Sequence, residues 1–174
     1  MIRVFVVTIS DSAVAGTRED RSGPAVEARV TELGWSVSGR ALVADDPEQI
    51  AGLLRSAADE GQANVILTTG GTGVAARDLT PEATRAVIDR EIPGLTEVMR
   101  AEGRKHTRFA PLSRGVAGTR GGALIVNLPG SPKGAVESLD TIANLIPHIA
   151  DLLEGRTEHV PAQRNSTGRD NVQE

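Results

Sequence analysis

Glycines and aspartates occur where the chain leaves apolar segments. Residues 69–73 read Thr-Gly-Gly-Thr-Gly directly after the apolar stretch 63–68, and Asp78 follows shortly afterwards. Glycine allows consecutive backbone N–H groups to point into one concavity, and it has no Cβ to keep an anion away. We therefore interpret this segment as a candidate phosphate-binding loop. The alternative is a glycine-rich turn with no chemical role.

Two common nucleotide-binding motifs do not fit the glycine loop. A P-loop requires a lysine after its last glycine, and none follows here. The segment 71–76 matches G-x-G-x-x-A, but in a Rossmann domain the helix begins inside that motif. Here Thr80 as N-cap and Pro81 in the first turn predict a helix that begins about seven residues too late. Residues 70–79 are therefore predicted to form a loop.

Strands and helices are predicted to alternate along the chain. The apolar runs 2–9, 35–43, 63–68 and 123–128 are typical of buried strands, and helices are predicted to begin at prolines 24, 47, 81, 93 and 132. The last helix is expected to kink at Pro147. This alternation predicts an α/β fold, a three-layer α/β/α sandwich with a mostly parallel sheet. Ligands bind at the carboxyl ends of such strands, so we expect four loops (10–16, 44–47, 69–73 and 128–133) to share one pocket.

Composition excludes several classes of protein. The chain has 174 residues, 39% of them hydrophobic, and no cysteine, so thiol chemistry is excluded. Its net charge of −4 argues against nucleic-acid binding, and the N-terminal segment is too short to span a membrane. We expect one domain (residues 1–155) and a disordered polar tail (residues 156–174). No signal peptide is recognised, so a cytoplasmic protein is expected.

Other reactive residues carry weaker hypotheses. The three histidines are too scattered for a metal motif and are expected at the surface. Ser10 followed by Asp11 could suggest a hydrolase nucleophile, but no histidine-bearing loop is available to activate it. The basic residues between 100 and 120 either attract anionic substrates or form an ordinary solvated face.

Six motifs in order give the chain a resemblance to a known family. They are Ile9-Ser-Asp-Ser12, Asp20-Arg-Ser-Gly-Pro24, Asp45-Asp46, Thr69–Gly73 with Arg77–Glu82, Pro111–Arg114 and Leu128–Pro132. The chain resembles, over residues 2–153, the molybdenum-cofactor biosynthesis proteins that bind molybdopterin: Mog, MoaB and the G domains of gephyrin and its plant counterpart. The resemblance implies a trimer, and many members transfer AMP from ATP to molybdopterin with Mg²⁺.

The resemblance implies roles for particular residues. Asp45 and Asp78 match the aspartates that are essential for the chemistry. The nucleotide side is implied for Ser10, Asp20, Gly70, Gly71, Thr72 and Gly73. The molybdopterin side is implied for Ser113, Arg114, Pro129, Gly130, Ser131 and Pro132. Members called MoaB often lack the Arg77-Asp78 pair, and some of those are thought to bind without transfer, so this chain is closer to the active branch.

The chemistry implied by the resemblance explains why two acids should lie beside a phosphate-binding loop. A pterin phosphate and a triphosphate would bring several negative charges together, and carboxylates alone would add repulsion. A divalent cation resolves this, since Mg²⁺ binds through one or two carboxylates and substrate phosphate oxygens. Asp45 and Asp78 are therefore the expected Mg²⁺ ligands. The alternatives are that Asp45 is a helix N-cap, although Asp46 suits that role better, and that Asp78 bonds only its own turn.

The expected activity is the Mg²⁺- and ATP-dependent adenylylation of molybdopterin, with pyrophosphate as the second product. The resemblance also implies hand-over of the product to a protein that inserts molybdenum. Two alternatives remain open. One is a non-catalytic protein of the same fold that binds molybdopterin or a nucleotide, and the other is the competence-damage-related branch, which works on other nucleotides.

Overall fold

The structure is a computed structural model that describes residues 1–156. Within that range the strands are β1 (Arg3–Ile9), β2 (Ser36–Val43), β3 (Val65–Thr69), β4 (Arg90–Glu91), β5 (Ala117–Arg120) and β6 (Ala123–Leu128). The α-helices are α1 (Asp11–Val14), α2 (Ser22–Glu32), α3 (Pro47–Asp59), α4 (Thr80–Arg85), α5 (Pro93–Gly103), α6 (Pro132–Ile142) and α7 (Ile146–Leu153). The predicted tail lies outside the described residues, except for Arg156.

The strands form one six-stranded sheet in the order β2-β1-β3-β6-β5-β4. The first four strands in this order are parallel, whereas β5 and β4 continue the sheet in antiparallel fashion. Strands β3 and β6 are buried along their whole length, as expected when helices cover both faces of a sheet. The carboxyl ends of the four parallel strands lie at one edge, where the four predicted loops leave the sheet.

Two hydrophobic clusters lie on opposite faces of the sheet. One contains apolar side chains of α2, α5, α6 and α7, packed against residues such as Val6 and Leu67. The other contains side chains of α3 and α4, packed against residues such as Val7 and Ile66. Successive residues of a strand therefore point into different clusters, as the pleat requires. The prediction of a three-layer sandwich with a mostly parallel sheet is confirmed.

Several local predictions were wrong. The segment 10–16 was expected to be a loop, but Ser10 caps the short helix α1 by accepting a hydrogen bond from the Ala13 N–H. The last helix is not kinked at Pro147 but interrupted, and α7 begins anew with this proline in its first turn, where its missing N–H costs nothing. Strand β5 was not predicted because its sequence is Ala-Gly-Thr-Arg. Gly118 allows that strand to approach Arg90, whose carbonyl oxygen would lie 2.6 Å from an added Cβ.

No helix among the described residues is long and apolar enough to cross a lipid bilayer.

Candidate functional site

A polar cavity of about 480 Å³ lies at the carboxyl ends of the four parallel strands. The loops after β1, β2, β3 and β6 all contribute to its wall, as the sequence predicted. The candidate residues that line it are Ser10, Asp20, Asp45, Gly70, Gly71, Asp78 and Gly130–Pro132. Sheets of this kind bind ligands at this edge, near the point where the strand order reverses. Here the reversal lies between β1 and β3.

The glycine loop is folded tightly against its neighbours. Gly70 and Gly71 have φ values of 105° and 63°, which L side chains rarely adopt. An added Cβ on Gly70 would lie 2.2 Å from the carbonyl oxygen of Ile9, and one on Gly71 would lie 2.3 Å from the hydroxyl of Thr80. Glycine is therefore needed at both positions because a side chain would not fit. Both residues also line the cavity.

Thr80 does not cap α4 as the sequence predicted. It is the first residue of the helix, which begins after Leu79 without a side-chain cap. Its buried hydroxyl donates to the Gly70 carbonyl (3.0 Å), and its N–H donates to the Gly71 carbonyl (3.1 Å). The side chain turns back because the glycine loop presents a carbonyl oxygen that would otherwise be buried without a partner.

Thr72 and Gly73 line neither of the two main cavities. The carbonyl of Thr72 accepts from the Arg114 N–H (2.8 Å), and the carbonyl of Gly73 accepts from the Arg114 side chain (2.7 Å). The same guanidinium pairs with Glu82 and holds the pKa of that carboxyl below its usual range. Arg114 therefore fastens the glycine loop, and its expected contact with molybdopterin stays a prediction.

Asp45 is joined to Asp11 by two hydrogen bonds. The Asp11 N–H donates to Asp45 Oδ2 (2.9 Å), and the Asp45 N–H donates to Asp11 Oδ1 (3.0 Å). Burial raises the pKa of Asp45, and the charges of Asp11 and Asp78 act in the same direction. The N-cap alternative for Asp45 was wrong, because Asp46 caps α3 by accepting from the N–H groups of Glu48 and Gln49.

Asp78 lines the cavity and also bonds its own loop. Its Oδ2 accepts a hydrogen bond from the Ala75 N–H at 2.8 Å, so Asp78 does bond its own turn, as the alternative hypothesis predicted. Its charge nevertheless acts on the carboxyl group of Asp45, so the two acids face one space. One turn thus fixes the orientation of Asp78 and directs it to the cavity.

The N-termini of two helices, α2 and α6, also contribute to the wall of the polar cavity. Asp20 accepts from the Thr8 hydroxyl (2.8 Å) and from the Gly23 N–H in the first turn of α2 (3.0 Å). Ser131 caps α6 by accepting from the Gly134 N–H, and Gly130–Pro132 line the cavity. A helix N-terminus has unpaired N–H groups and a positive dipole end, which favour phosphate binding.

A second, mainly apolar cavity of about 180 Å³ lies between α5 and α6. Met99 and Phe109 form part of its wall, together with Ser113 and Pro129 from the predicted molybdopterin side. Ser131 lines both cavities. The candidate residues thus divide between a polar chamber and an apolar chamber that adjoin at the N-terminus of α6.

The polar cavity fits a divalent cation that arrives with phosphates. No group of three or more acidic or histidine side chains that could hold a metal occurs among residues 1–156. Asp45 Oδ1 has no hydrogen-bond donor in this range. It lies beside Gly71, where an added Cβ would be 3.0 Å from this oxygen, so the lack of a side chain leaves space next to it. Two carboxylates with an open oxygen suit Mg²⁺, which keeps several positions for water and phosphate.

Sequence reasoning missed Asp11 and Arg77 as site residues. Arg77 donates two hydrogen bonds to Asp11 Oδ2, one from Nε at 2.9 Å and one from a terminal nitrogen. The pKa of Asp11 is lowered mainly by the hydrogen bond from the Asp45 N–H and further by Arg77. Both residues belong to motifs that carried the resemblance, Ile9–Ser12 and Arg77–Glu82, but neither was assigned a role of its own.

Comparison with known proteins agrees with this geometry. A family model described as "Probable molybdopterin binding domain" matches residues 5–149. The molybdenum cofactor synthesis protein cinnamon of Drosophila melanogaster is 43% identical over 150 residues, which are 85% of this chain but 25% of that longer protein. The molybdopterin adenylyltransferase of Helicobacter pylori J99 is 41% identical over 156 residues, covering 88% of this chain and 89% of the relative.

Solved structures show the same relationship. The molybdopterin biosynthesis enzyme MoaB from Thermus thermophilus is 48% identical, with a TM-score of 0.84, over 89% of this chain and 98% of that one. The family model alone matches well over half of the chain. The resemblance seen in the order of the motifs is therefore confirmed, and the chain belongs to the family of molybdopterin-binding domains.

Proposed function

We propose that this protein transfers AMP from ATP to molybdopterin, giving adenylyl-molybdopterin and pyrophosphate. The observation that carries the proposal is the pair of adjoining cavities, with Asp45 and Asp78 in the polar one and Ser131 shared by both. Two substrates that meet at one phosphate require such an arrangement. The relative from Helicobacter pylori, which covers nearly the same length, is named for this activity.

The polar cavity suits the triphosphate of ATP. The backbone of Gly71 and the N-termini of α2 and α6 offer N–H groups and positive dipole ends to phosphate oxygens. Arg18 and Arg21 are the cationic residues of its wall. The apolar cavity suits the flat pterin ring, and Ser113 and Ser131 in its wall would hold the phosphate of molybdopterin.

The reaction requires no protein nucleophile. An oxygen of the molybdopterin phosphate attacks the α-phosphorus of ATP, a new P–O bond forms, and the bond to the bridging oxygen breaks as pyrophosphate leaves. The protein contributes by aligning the two phosphates and by balancing their charge. Asp45 and Asp78 would hold Mg²⁺, which neutralises phosphate charge when it is bound.

Assembly and transfer of the product extend the proposal. We include a homotrimer with one site per chain, and hand-over of adenylyl-molybdopterin to a protein that inserts molybdenum. The non-catalytic alternative predicts binding of molybdopterin without consumption of ATP. The Arg77-Asp78 pair favours turnover, because it places a carboxylate in the polar cavity and fixes a neighbouring loop.

The decisive experiment incubates the purified protein with molybdopterin, MgATP and an enzymatic assay for pyrophosphate. We expect pyrophosphate and adenylyl-molybdopterin in equal amounts, with neither formed when Mg²⁺ or molybdopterin is omitted. Saturable binding of molybdopterin without pyrophosphate would instead establish the binding-protein alternative.

A further inference from the structure

We propose that Asp11 and Arg77 are positioning residues, with Asp11 fixing the orientation of Asp45 and Arg77 fixing Asp11. The inference rests on the proposed function, since it assigns a purpose to the orientation of Asp45. Asp11 begins the short helix α1 after β1, Asp45 follows β2, and Arg77 lies in the loop after β3. Their contacts therefore join three segments that leave neighbouring strands, and Asp45 is the one of the three that lines the polar cavity.

The contacts between Asp11 and Asp45 determine which carboxylate oxygen stays open. The Asp11 N–H occupies Asp45 Oδ2, while the side chain of Asp11 holds the Asp45 backbone through its N–H. Oδ1 then lies beside the Gly71 backbone, without a donor from residues 1–156. A loose Asp45 would rotate freely, whereas this arrangement presents one oxygen to a cation and its phosphates.

Arg77 completes the chain of contacts from the other side. Its Nε and a terminal nitrogen donate to the same oxygen of Asp11, which leaves the other oxygen to the Asp45 N–H. The side chains of Arg77 and Asp11 are 66% and 45% exposed. Exposed ion pairs of this kind contribute little to stability. Stability alone therefore does not account for a bridge that meets the candidate cation ligand.

If Arg77 acts on Asp45 through Asp11, the double variant has a predictable activity. If Arg77 acts only through Asp11, it has no effect once the side chain of Asp11 is removed. Asp11→Ala should lower kcat by about 10- to 100-fold, the range typical of residues that orient a metal ligand. Arg77→Ala should lower kcat by a smaller factor, and the double variant should equal Asp11→Ala. The KM for molybdopterin should change little in all three.

Conservative variants separate positioning from charge. Asp11→Asn keeps an acceptor for the Asp45 N–H and should retain more activity than Asp11→Ala. Arg77→Lys should restore only part of the activity, because an ammonium group does not supply the two fixed donors of a guanidinium. Restoration of full activity by Lys would show that positive charge alone matters and would overturn the role assigned to the bridge.

The ion pair between Arg120 and Asp59 provides a matched control. It is also a two-point Arg–Asp bridge between distant segments, with both distances at 2.8 Å, and neither residue lines the polar or the apolar cavity. Arg120→Ala and Asp59→Ala should lower the melting temperature without changing kcat. If Arg120→Ala and Asp59→Ala lowered kcat as much as Arg77→Ala and Asp11→Ala, the loss at Asp11 would be explained by general destabilisation. That result would overturn the proposal.

A binding measurement keeps this proposal separate from the proposed function. Mn²⁺ affinity in the presence of a non-hydrolysable ATP analogue can be followed by electron paramagnetic resonance, whether or not the wild type transfers AMP. We expect weaker Mn²⁺ binding in Asp11→Ala and no further weakening in the double variant. Unchanged affinity, or losses that multiply in the double variant, would overturn the positioning role. An inactive wild type with the expected binding pattern would refute only the AMP transfer.

Discussion

The hydroxyl of Thr80 donates a hydrogen bond to the carbonyl oxygen of Gly70, 3.0 Å away, although Thr80 begins a helix. A threonine in this position commonly caps its own helix, and the sequence predicted that role. The bond instead closes the glycine loop on α4. The shape of the phosphate-binding candidate thus depends on one buried hydroxyl outside the glycine segment.

Thr80→Val tests this closure. The valine keeps the shape of the side chain but leaves the Gly70 carbonyl without its donor, so we expect the free energy of unfolding to fall by about 1–3 kcal/mol. Urea denaturation would measure the change. Thr80→Ser keeps the hydroxyl and serves as the control. A valine variant as stable as the serine variant would show that the bond contributes nothing.

Alanine substitutions in the glycine loop should reduce stability as well as nucleotide binding. The Cβ of an alanine at position 71 would lie 2.3 Å from the Thr80 hydroxyl, and φ is positive at this position. We expect Gly70→Ala and Gly71→Ala to unfold at clearly lower temperatures. Gly52 lies within α3 with nothing within 4 Å of its Cβ position, so Gly52→Ala should raise stability by about 0.5–1 kcal/mol.

The layers of the fold could be predicted because strong local signals agreed with it. The buried strands β3 and β6 are continuous apolar runs, and prolines lie in the first turns of α3, α5 and α6. Strands β4 and β5 could not be predicted, because β5 depends on pairing with β6, β4 depends on pairing with β5, and their close approach requires Gly118.

The sequence predicted which loops form the site more successfully than it predicted which residues contact each other there. Parallel strands place their carboxyl ends together, so loop positions identified Asp45, Asp78 and the glycines as neighbours. The partners of those residues depend on distances that no sequence period encodes. Arg114 was expected at a phosphate, but its guanidinium is engaged by Gly73 and Glu82, and Asp11 was overlooked although it touches Asp45.

Asp45→Asn and Asp78→Asn should abolish AMP transfer while leaving the fold intact. An amide has no negative charge to hold Mg²⁺, yet it preserves the size of each side chain. Binding of molybdopterin should persist, because its phosphate then meets less repulsion. Pyrophosphate release and isothermal titration with molybdopterin would measure the two effects. Transfer at the wild-type rate by either variant would exclude that residue as a required Mg²⁺ ligand.

The trimer implied by the resemblance should appear in light scattering as a mass about three times the 18.2 kDa of one chain. Leu95 of α5 and Leu139 of α6 are buried within the chain and cannot supply contact between chains. Phe109 and Leu112, which are 59% and 52% exposed, are better candidates for contact. A mass of one chain throughout a dilution series in the micromolar range would exclude the trimer.

The ion pair of Glu82 with Arg114 should give stability a defined pH dependence. Because Arg114 lowers the pKa of Glu82 in the folded protein, the pair stabilises the fold above the ordinary pKa of a glutamate. That contribution is lost as pH falls through the lowered value. Glu82→Gln should therefore be less stable than the wild type at pH 7, by up to about 1 kcal/mol for a half-exposed pair. The difference should vanish once the pH is below that lowered value.

Urea denaturation of both proteins at several pH values would measure this difference. Glu97 provides the control, since it is exposed and forms no ion pair within residues 1–156, so Glu97→Gln removes the same charge without releasing Arg114. A difference for Glu82→Gln that stays unchanged down to strongly acidic pH would mean that the charge of Glu82 is not what holds Arg114. The fastening of Thr72 and Gly73 would then depend on the carbonyl contacts of Arg114 alone.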